Sequence, residues 1–260
     1  MEGIRIVRLY ENWFEIISNH FKDDTETTEL VLRGGIRYEI HPRSTDMGLI
    51  QEIHAENTYQ IQKGDISDNS VVIDIGAHIG VFSVLAAAQA ENVTVYSFEP
   101  EPDNFQLLVR NTARNHLESQ VHPISLAVSN TSTPKKLVRS TASDTAHSLM
   151  PGKSPDDEIK DSVEVNCTTL LDIFRTYEID KCDILKLDCE GEEYNILLNT
   201  PDEILAKVVK IVSEYHDGLS EYSHQDLANF LRERNFRVET RAGLSFPTFT
   251  TGFLNATRNN

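Results

Sequence analysis

The sequence predicts an α/β fold: a mostly parallel sheet of about seven strands with helices on both faces. Two observations carry this expectation. From residue 71 onward, short apolar runs fit for buried strands alternate with longer segments of helical spacing. The chain then closes with two strand-like stretches around a Gly-containing turn, which reads as an antiparallel hairpin at the end of the sheet.

The elements follow in order. "VVIDI" (71–75) is the first strand and "VFSVLAAAQA" the helix behind it; "VTVYSF" is the second strand. Pro102 opens the next helix, whose apolar positions Phe105, Leu108, Val109, Ala113 and Leu117 recur at helical spacing. "VHPISLAV" is the third strand. The polar, Ser/Thr-rich stretch 129–162 is expected to be largely surface loop with some short strands. Thr169, three residues before Asp172, marks a capped helix start. "DILKLD" and "VVKIVSEY" are two further buried strands, separated by a helix from about Glu190 to Asn199. A helix with Leu227, Phe230 and Leu231 precedes the final hairpin.

Residues 1–60 read as an N-terminal cap on a catalytic domain of residues 61–260. "NWFEIISNHF" has a helical pattern, "ELVLRGGIRYEIHP" holds two short strands around Gly34-Gly35, and "TDMGLIQEIHAENTY" is a helix leading inward. This cap is too short to bury a core by itself.

Composition narrows the partners. The 260 residues carry 24 Lys and Arg against 41 Asp and Glu, a net charge of −17. Phosphate-tracking surfaces need clustered basic residues, and no dense basic run is present, so a nucleic-acid partner is not expected. No apolar stretch approaches the roughly 20 residues of a membrane span, and the first residues lack the apolar run of a signal peptide. The expected location is cytoplasmic. Cys167, Cys182 and Cys189 show no metal-ligand spacing and no even pairing, so they are expected as buried thiols.

The turn "DIGAHIG" lies where an open α/β sheet binds its ligand, outside the carboxyl end of the first strand. A dinucleotide site wants G-x-G-x-x-G, so that backbone can approach the pyrophosphate. Here Gly76 and Gly80 are the glycines, and His78 stands where the middle one would be. Asp74, at the strand's end, repels phosphate and favours a cationic group. Glu99, ending the second strand, is placed to accept hydrogen bonds from both hydroxyls of a ribose. A nucleoside with a cationic amino-acid tail satisfies both acids, and S-adenosylmethionine is such a molecule. The plainer alternative makes Asp74 a turn cap and Glu99 a helix-start acid.

Two segments then support a resemblance. "VVIDIGAHIGVFSVLAA…VYSFEPEPDNFQLLVRN" and "DILKLDCEGEEYNIL…IVSEYHDG" resemble the FkbM family of class I S-adenosylmethionine-dependent methyltransferases, over about residues 30–255. The second segment follows the family pattern K-x-D-x-E-G-x-E with Lys186, Asp188, Glu190, Gly191 and Glu193. The resemblance implies a Rossmann-like seven-stranded sheet of order 3-2-1-4-5-7-6. It places Asp74, Gly76, Ala77, His78 and Gly80 around the methionine part, Glu99 and Pro100 at the ribose, and the segment 125–128, including Ala127, beside the adenine. At His78 relatives usually carry Asn.

Methyl transfer needs an acceptor aligned with the methyl–sulfur bond, a group to take its proton, and exclusion of water. Asp188 ends the fourth strand, with Lys186 two residues before it on the same face. Glu190 and Glu193 begin the helix after the fourth strand, and Glu214 and His216 end the fifth strand. Asp188, Lys186, Glu190, Glu214 and His216 are the candidate catalytic set. Lys186 reads equally as a neutralising partner for Asp188 or Glu190. Glu190 and Glu193 read also as favourable first-turn acids, the preferred view of Glu193. His216 has the ordinary pKa of a general base but heads an expected loop. No metal is expected; Asp188, Glu190 and Glu214 as Mg²⁺ ligands form a minority reading.

The expected activity is O-methylation of a small-molecule hydroxyl, such as a sugar, another polar metabolite or a glycolipid precursor. Methylation of protein or RNA nitrogen and a non-catalytic cofactor-binding module are the alternatives.

Overall fold

The computed structural model describes residues 7–14, 16, 28–42, 44–140, 147–148, 159–246 and 249–259. The helix expected over "NWFEIISNHF" lies largely outside them. A hairpin of β1 (Thr28–Val31) and β2 (Arg37–Ile40) turns at Gly34-Gly35 and is followed by α1 (Asp46–His54). The alternating series begins with β3 (Val71–Ile75), α2 (Val81–Ala87), β4 (Thr94–Phe98), α3 (Pro102–Arg114) and β5 (Val121–Ile124). Glu101 caps α3 by accepting from the N–H groups of Asp103 and Asn104, both at 2.8 Å, with Pro102 in the first turn.

The third strand is shorter than its apolar run. After β5 the chain leaves the sheet, and β6 (Ala127–Val128) pairs in parallel with β10 (Cys167–Thr168). Between them, part of the stretch expected as loop is regular: β7 (Lys135–Ser140), β8 (His147–Ser148) and β9 (Ile159–Val165) form an antiparallel three-stranded sheet. Its apolar positions are few, but Leu137 and Val165 are buried with Ala127 and Cys167, with Val163 packed against them. A small local core therefore offsets the polar composition.

The second half supplies α4 (Leu170–Thr176), capped by Thr169, then β11 (Cys182–Leu187), α5 (Glu192–Leu198) and α6 (Asp202–Leu205). β12 (Val208–Asp217), α7 (His224–Glu233), β13 (Phe236–Ser245) and β14 (Thr250–Arg258) complete it. The central sheet runs β5-β4-β3-β11-β12-β14-β13. In order of appearance that is 3-2-1-4-5-7-6, as expected, parallel except for β14, which runs against both its neighbours.

Alternation along the strands builds a core on each face. Ile73, Ile75, Leu185, Leu187 and Ile211 pack with Phe174, Tyr194, Leu197 and Leu231 on one side. Val72, Ile184 and Val212 pack with Phe82, Val84 and Leu107 on the other. This second core also takes in Leu30, Tyr38, Ile50 and Tyr59 from the N-terminal segment. The segment thus closes one face of the sheet, and the polar residues that end β3, β11 and β12 open toward it.

Candidate active site

The turn after β3 is stapled to β4. Gly76 N–H and Ala77 N–H both donate to the Phe98 carbonyl at 3.0 Å, His78 N–H donates to Glu99 Oε2 at 2.8 Å, and Gly80 N–H to the Ala77 carbonyl at 2.8 Å. All four donors are taken by protein acceptors. A pyrophosphate would need such N–H groups free, so the turn is not a phosphate cradle. Gly76 has φ +71°, and a Cβ there would stand 1.8 Å from the Asp188 carbonyl oxygen. The ends of β3 and β11 therefore touch through a missing side chain.

Glu99 is buried at 5% exposure. Its Oε2 accepts from His78 and its Oε1 from Glu101 N–H at 2.9 Å. A carboxylate has about four acceptor positions, so each oxygen keeps one for a further donor. Burial pushes the Glu99 carboxyl up to about 7, against the two backbone donors that favour its ionised form. Pro100 follows half-buried and leads into the α3 cap.

Asp74 has no exposed surface; Oδ2 accepts from Ser83 Oγ at 2.6 Å and Oδ1 lies 3.1 Å from Lys186 Nζ. The two residues are register partners on adjacent strands, which brings the pair together. Lys186 is itself buried and donates to the Gly76 carbonyl at 2.6 Å. Burial works against its ammonium, but Asp74 and Asp188 outweigh it and hold the pKa above the ordinary range. Asp74 thus ties the turn to Ser83 and Lys186 from behind. Lys186 pairs with Asp74, with Asp188 more distant at 3.9 Å.

His78 has φ +52°. Asn and His are both among the side chains that enter this left-handed region more readily, so the exchange relative to the family pattern keeps the backbone. Its Nε2 lies 3.8 Å from Asp46 Oδ1 at the start of α1, and Asp46 also accepts from the backbone N–H of His41. The Ala127 N–H donates to the Asn166 carbonyl and its side chain is buried against Leu137 and Cys167. In that segment Ser125 is exposed, with Ile124 and Leu126 half-buried.

Across the crevice several acids crowd together. Asp188 follows β11, and Glu214 and His216 sit on β12, so adjacent strand ends bring them together. One donor atom from each of the three lies within 4.8 Å of the others. His216 is not at the head of an exposed loop: it lies in β12 at 3% exposure. Glu193 Oε1 accepts from its backbone N–H at 2.9 Å and meets its Nδ1 at 3.1 Å, while Gly191 N–H holds the other Glu193 oxygen at 2.8 Å. Glu193 is therefore more than a first-turn helix acid; it fixes the imidazole. Glu190 and Gly191 form a left-handed turn before α5, at φ +51° and +102°, which starts that helix later than expected. From this turn Glu190 Oε2 reaches within 3.5 Å of His216 Nε2.

The electrostatics follow from crowding. Burial and then Asp188 push the Glu214 carboxyl up to about 8. Burial raises Glu190 to about 7, against the opposing pull of His216. For His216 burial favours the neutral ring, but Glu190 and Glu193 outweigh it and raise its pKa well above the ordinary value. Tyr59, absent from the sequence-derived set, donates from its hydroxyl to Asp188 Oδ2 at 2.9 Å. It is buried edge-on against Phe82 and Phe253, so the N-terminal segment contributes directly to this mouth. A lone Tyr between helix and strand carries no motif; for Glu193 the signal was its place at the end of K-x-D-x-E-G-x-E.

A separate cavity of about 340 Å³ lies at the opposite ends of the strands, lined by residues including Asp68, Tyr96, Tyr177, Asp180 and Asp183. No candidate site residue lines it.

The methyltransferase FkbM domain family matches residues 74–238. Among curated proteins, the 31-O-demethyl-FK506 methyltransferase FkbM of Streptomyces tacrolimicus is 26% identical, over 65% of this chain and 74% of that protein. The methyltransferase sdnD of Sordaria araneosa is 25% identical, over 73% of this chain and 82% of its own length. Among solved structures, a tRNA m1G37 methyltransferase of M. jannaschii aligns over 92% of this chain with a TM-score of 0.51 and 18% identity. The chain spans 58% of that longer protein, and the likeness is one of fold.

Proposed function

This chain belongs to the FkbM methyltransferase domain family, and from that premise we propose that it methylates a hydroxyl oxygen of a small molecule, such as a sugar or another polar metabolite. It is an S-adenosylmethionine-dependent methyltransferase. The observation that carries the finer reading is the division of the crevice. A carboxylate with spare acceptor positions, Glu99, stands on one side of Gly76, and the Asp188, Glu214 and His216 cluster stands on the other.

Glu99 would hold the ribose of S-adenosylmethionine, with the Gly76–Gly80 turn beside the methionine part. The cofactor supplies an electrophilic methyl group when bound. The protein's own task is then to bind an acceptor oxygen in line, orient it and take up its proton. Asp188 is suited to this because Tyr59 holds one of its oxygens and leaves the other available. The acidic mouth supports a hydroxyl acceptor over an anionic one, since a carboxylate brought beside Asp188, Glu190 and Glu214 would be repelled. A relative named for methylating a demethylated oxygen supports the same class.

The test is a methyl-consumption screen over sugars, glycolipid precursors and phenols, with Asp188→Ala as the control. Turnover on a hydroxyl acceptor that vanishes in the variant is the expected result. Turnover confined to protein or RNA nitrogen would sink the reading.

A further inference from the structure

We infer that Asp188, Glu214 and His216 form a binding site for a divalent cation of the manganese or magnesium class. The three donors come from the ends of neighbouring strands, and their ligand atoms lie within 4.8 Å of one another. In a shell with metal–oxygen distances of about 2.1 Å, donors stand roughly 3 to 4 Å apart. Asp188 and Glu214 are half-buried, and with Asp188 held by Tyr59, rotation of the Glu214 side chain would close the difference.

The independent observation lies behind the histidine. A ligating imidazole characteristically gives its other ring nitrogen to a carboxylate, which fixes both tautomer and orientation. His216 has this arrangement: Nδ1 faces Glu193 Oε1 at 3.1 Å, and Glu193 is fully buried and tied to Gly191 N–H. The side chain of His216 is 4% exposed, and its Nε2 points to the acidic mouth, where Glu190 lies at 3.5 Å, an ion-pair contact rather than a short hydrogen bond. Ligating carboxylates are commonly hydrogen-bonded in turn, and the Tyr59 hydroxyl does this for Asp188 at 2.9 Å. Lys186, the cation beneath the mouth, is matched to Asp74, which leaves the carboxylates above it in excess.

Two carboxylates with one imidazole suit Mn²⁺, which accepts hard oxygen and borderline nitrogen donors together. This set replaces Glu190 of the minority sequence reading with His216. The site's existence does not depend on the acceptor; its use does, because three protein donors leave room in an octahedral shell for an acceptor oxygen.

The test is titration of the full chain with Mn²⁺ alone, followed by the loss of the free-ion spin-resonance signal. Salt near 0.1 M screens loose surface binding to an acidic protein. Wild type should take up one ion, and Glu214→Gln or Asp188→Asn should weaken uptake at least about tenfold. Glu193→Gln should weaken it about tenfold or more through the imidazole, while Asp180→Asn at the opposite end of the sheet leaves it unchanged. No uptake by wild type, or equal uptake by wild type and Glu214→Gln with both folded by circular dichroism, overturns the site. S-adenosylhomocysteine binding on the same samples separates the outcomes. Retained nucleoside binding without Mn²⁺ uptake defeats the cation site alone, and Mn²⁺ uptake without nucleoside binding defeats the cofactor reading alone.

Discussion

The two sides of the crevice are built on different principles. On the β3–β4 side, Ser83 and Lys186 hold Asp74, the N–H groups of the turn are taken by protein acceptors, and Glu99 has acceptor capacity to spare. On the β11–β12 side, Asp188, Glu190 and Glu214 crowd one another around a single imidazole. A side fixed by its own backbone can hold an invariant ligand. A side of incompletely matched charges is poised for a partner that brings charge or protons.

Breaking the weld between the two sides should have the largest effect. Gly76→Ala forces a left-handed residue and a Cβ into the Asp188 carbonyl. It should cost about 3 kcal/mol or more, seen as a large fall in melting temperature or loss of folded yield. Next, Asp188→Ala should lower turnover about 10²- to 10⁴-fold with an acceptor from the screen. Its affinity for S-adenosylhomocysteine should stay within about twofold, which separates the two sides functionally.

Glu99→Gln acts on the other side. Loss of charge-assisted hydrogen bonds should weaken S-adenosylhomocysteine about tenfold or more, with turnover at saturating cofactor little changed. The pH dependence sharpens this. Glu99 sits at about 7 in the fold against an ordinary 4.5, so the folded state holds that proton more tightly than the unfolded chain. Its contribution to stability is present below about 4.5 and is lost as pH rises to about 7. Nucleoside affinity should rise from pH 6 to 8 as the carboxylate ionises, and Glu99→Gln should flatten that rise. The smallest effect belongs to Tyr59→Phe. Loss of one hydrogen bond, about 1 kcal/mol, should slow turnover about fivefold and leave nucleoside affinity unchanged.

The same contrast decides what the sequence could tell. The strands themselves were legible because alternation is a local pattern, whereas their order followed from the resemblance to the FkbM family. What that pattern hid was the register partner. Asp74 looks like a free carboxylate until Lys186, on a strand more than a hundred residues later, is seen opposite it. The end of the third apolar run did not reveal that the chain leaves the sheet there, so that Ala127 pairs in β6 against β10. On the acceptor side Tyr59 arrives from the N-terminal segment and Glu193 from a helix, and neither alignment is encoded by spacing. The β7–β9 sheet was hidden by its polarity, since only a few alternating positions are buried.

The most direct test of this division is calorimetry with S-adenosylhomocysteine on wild type, Glu99→Gln and Asp188→Ala. The division predicts binding by wild type, a loss of about tenfold or more for Glu99→Gln, and near-wild-type affinity for Asp188→Ala. Equal affinities for all three, or a greater loss for Asp188→Ala than for Glu99→Gln, would contradict it.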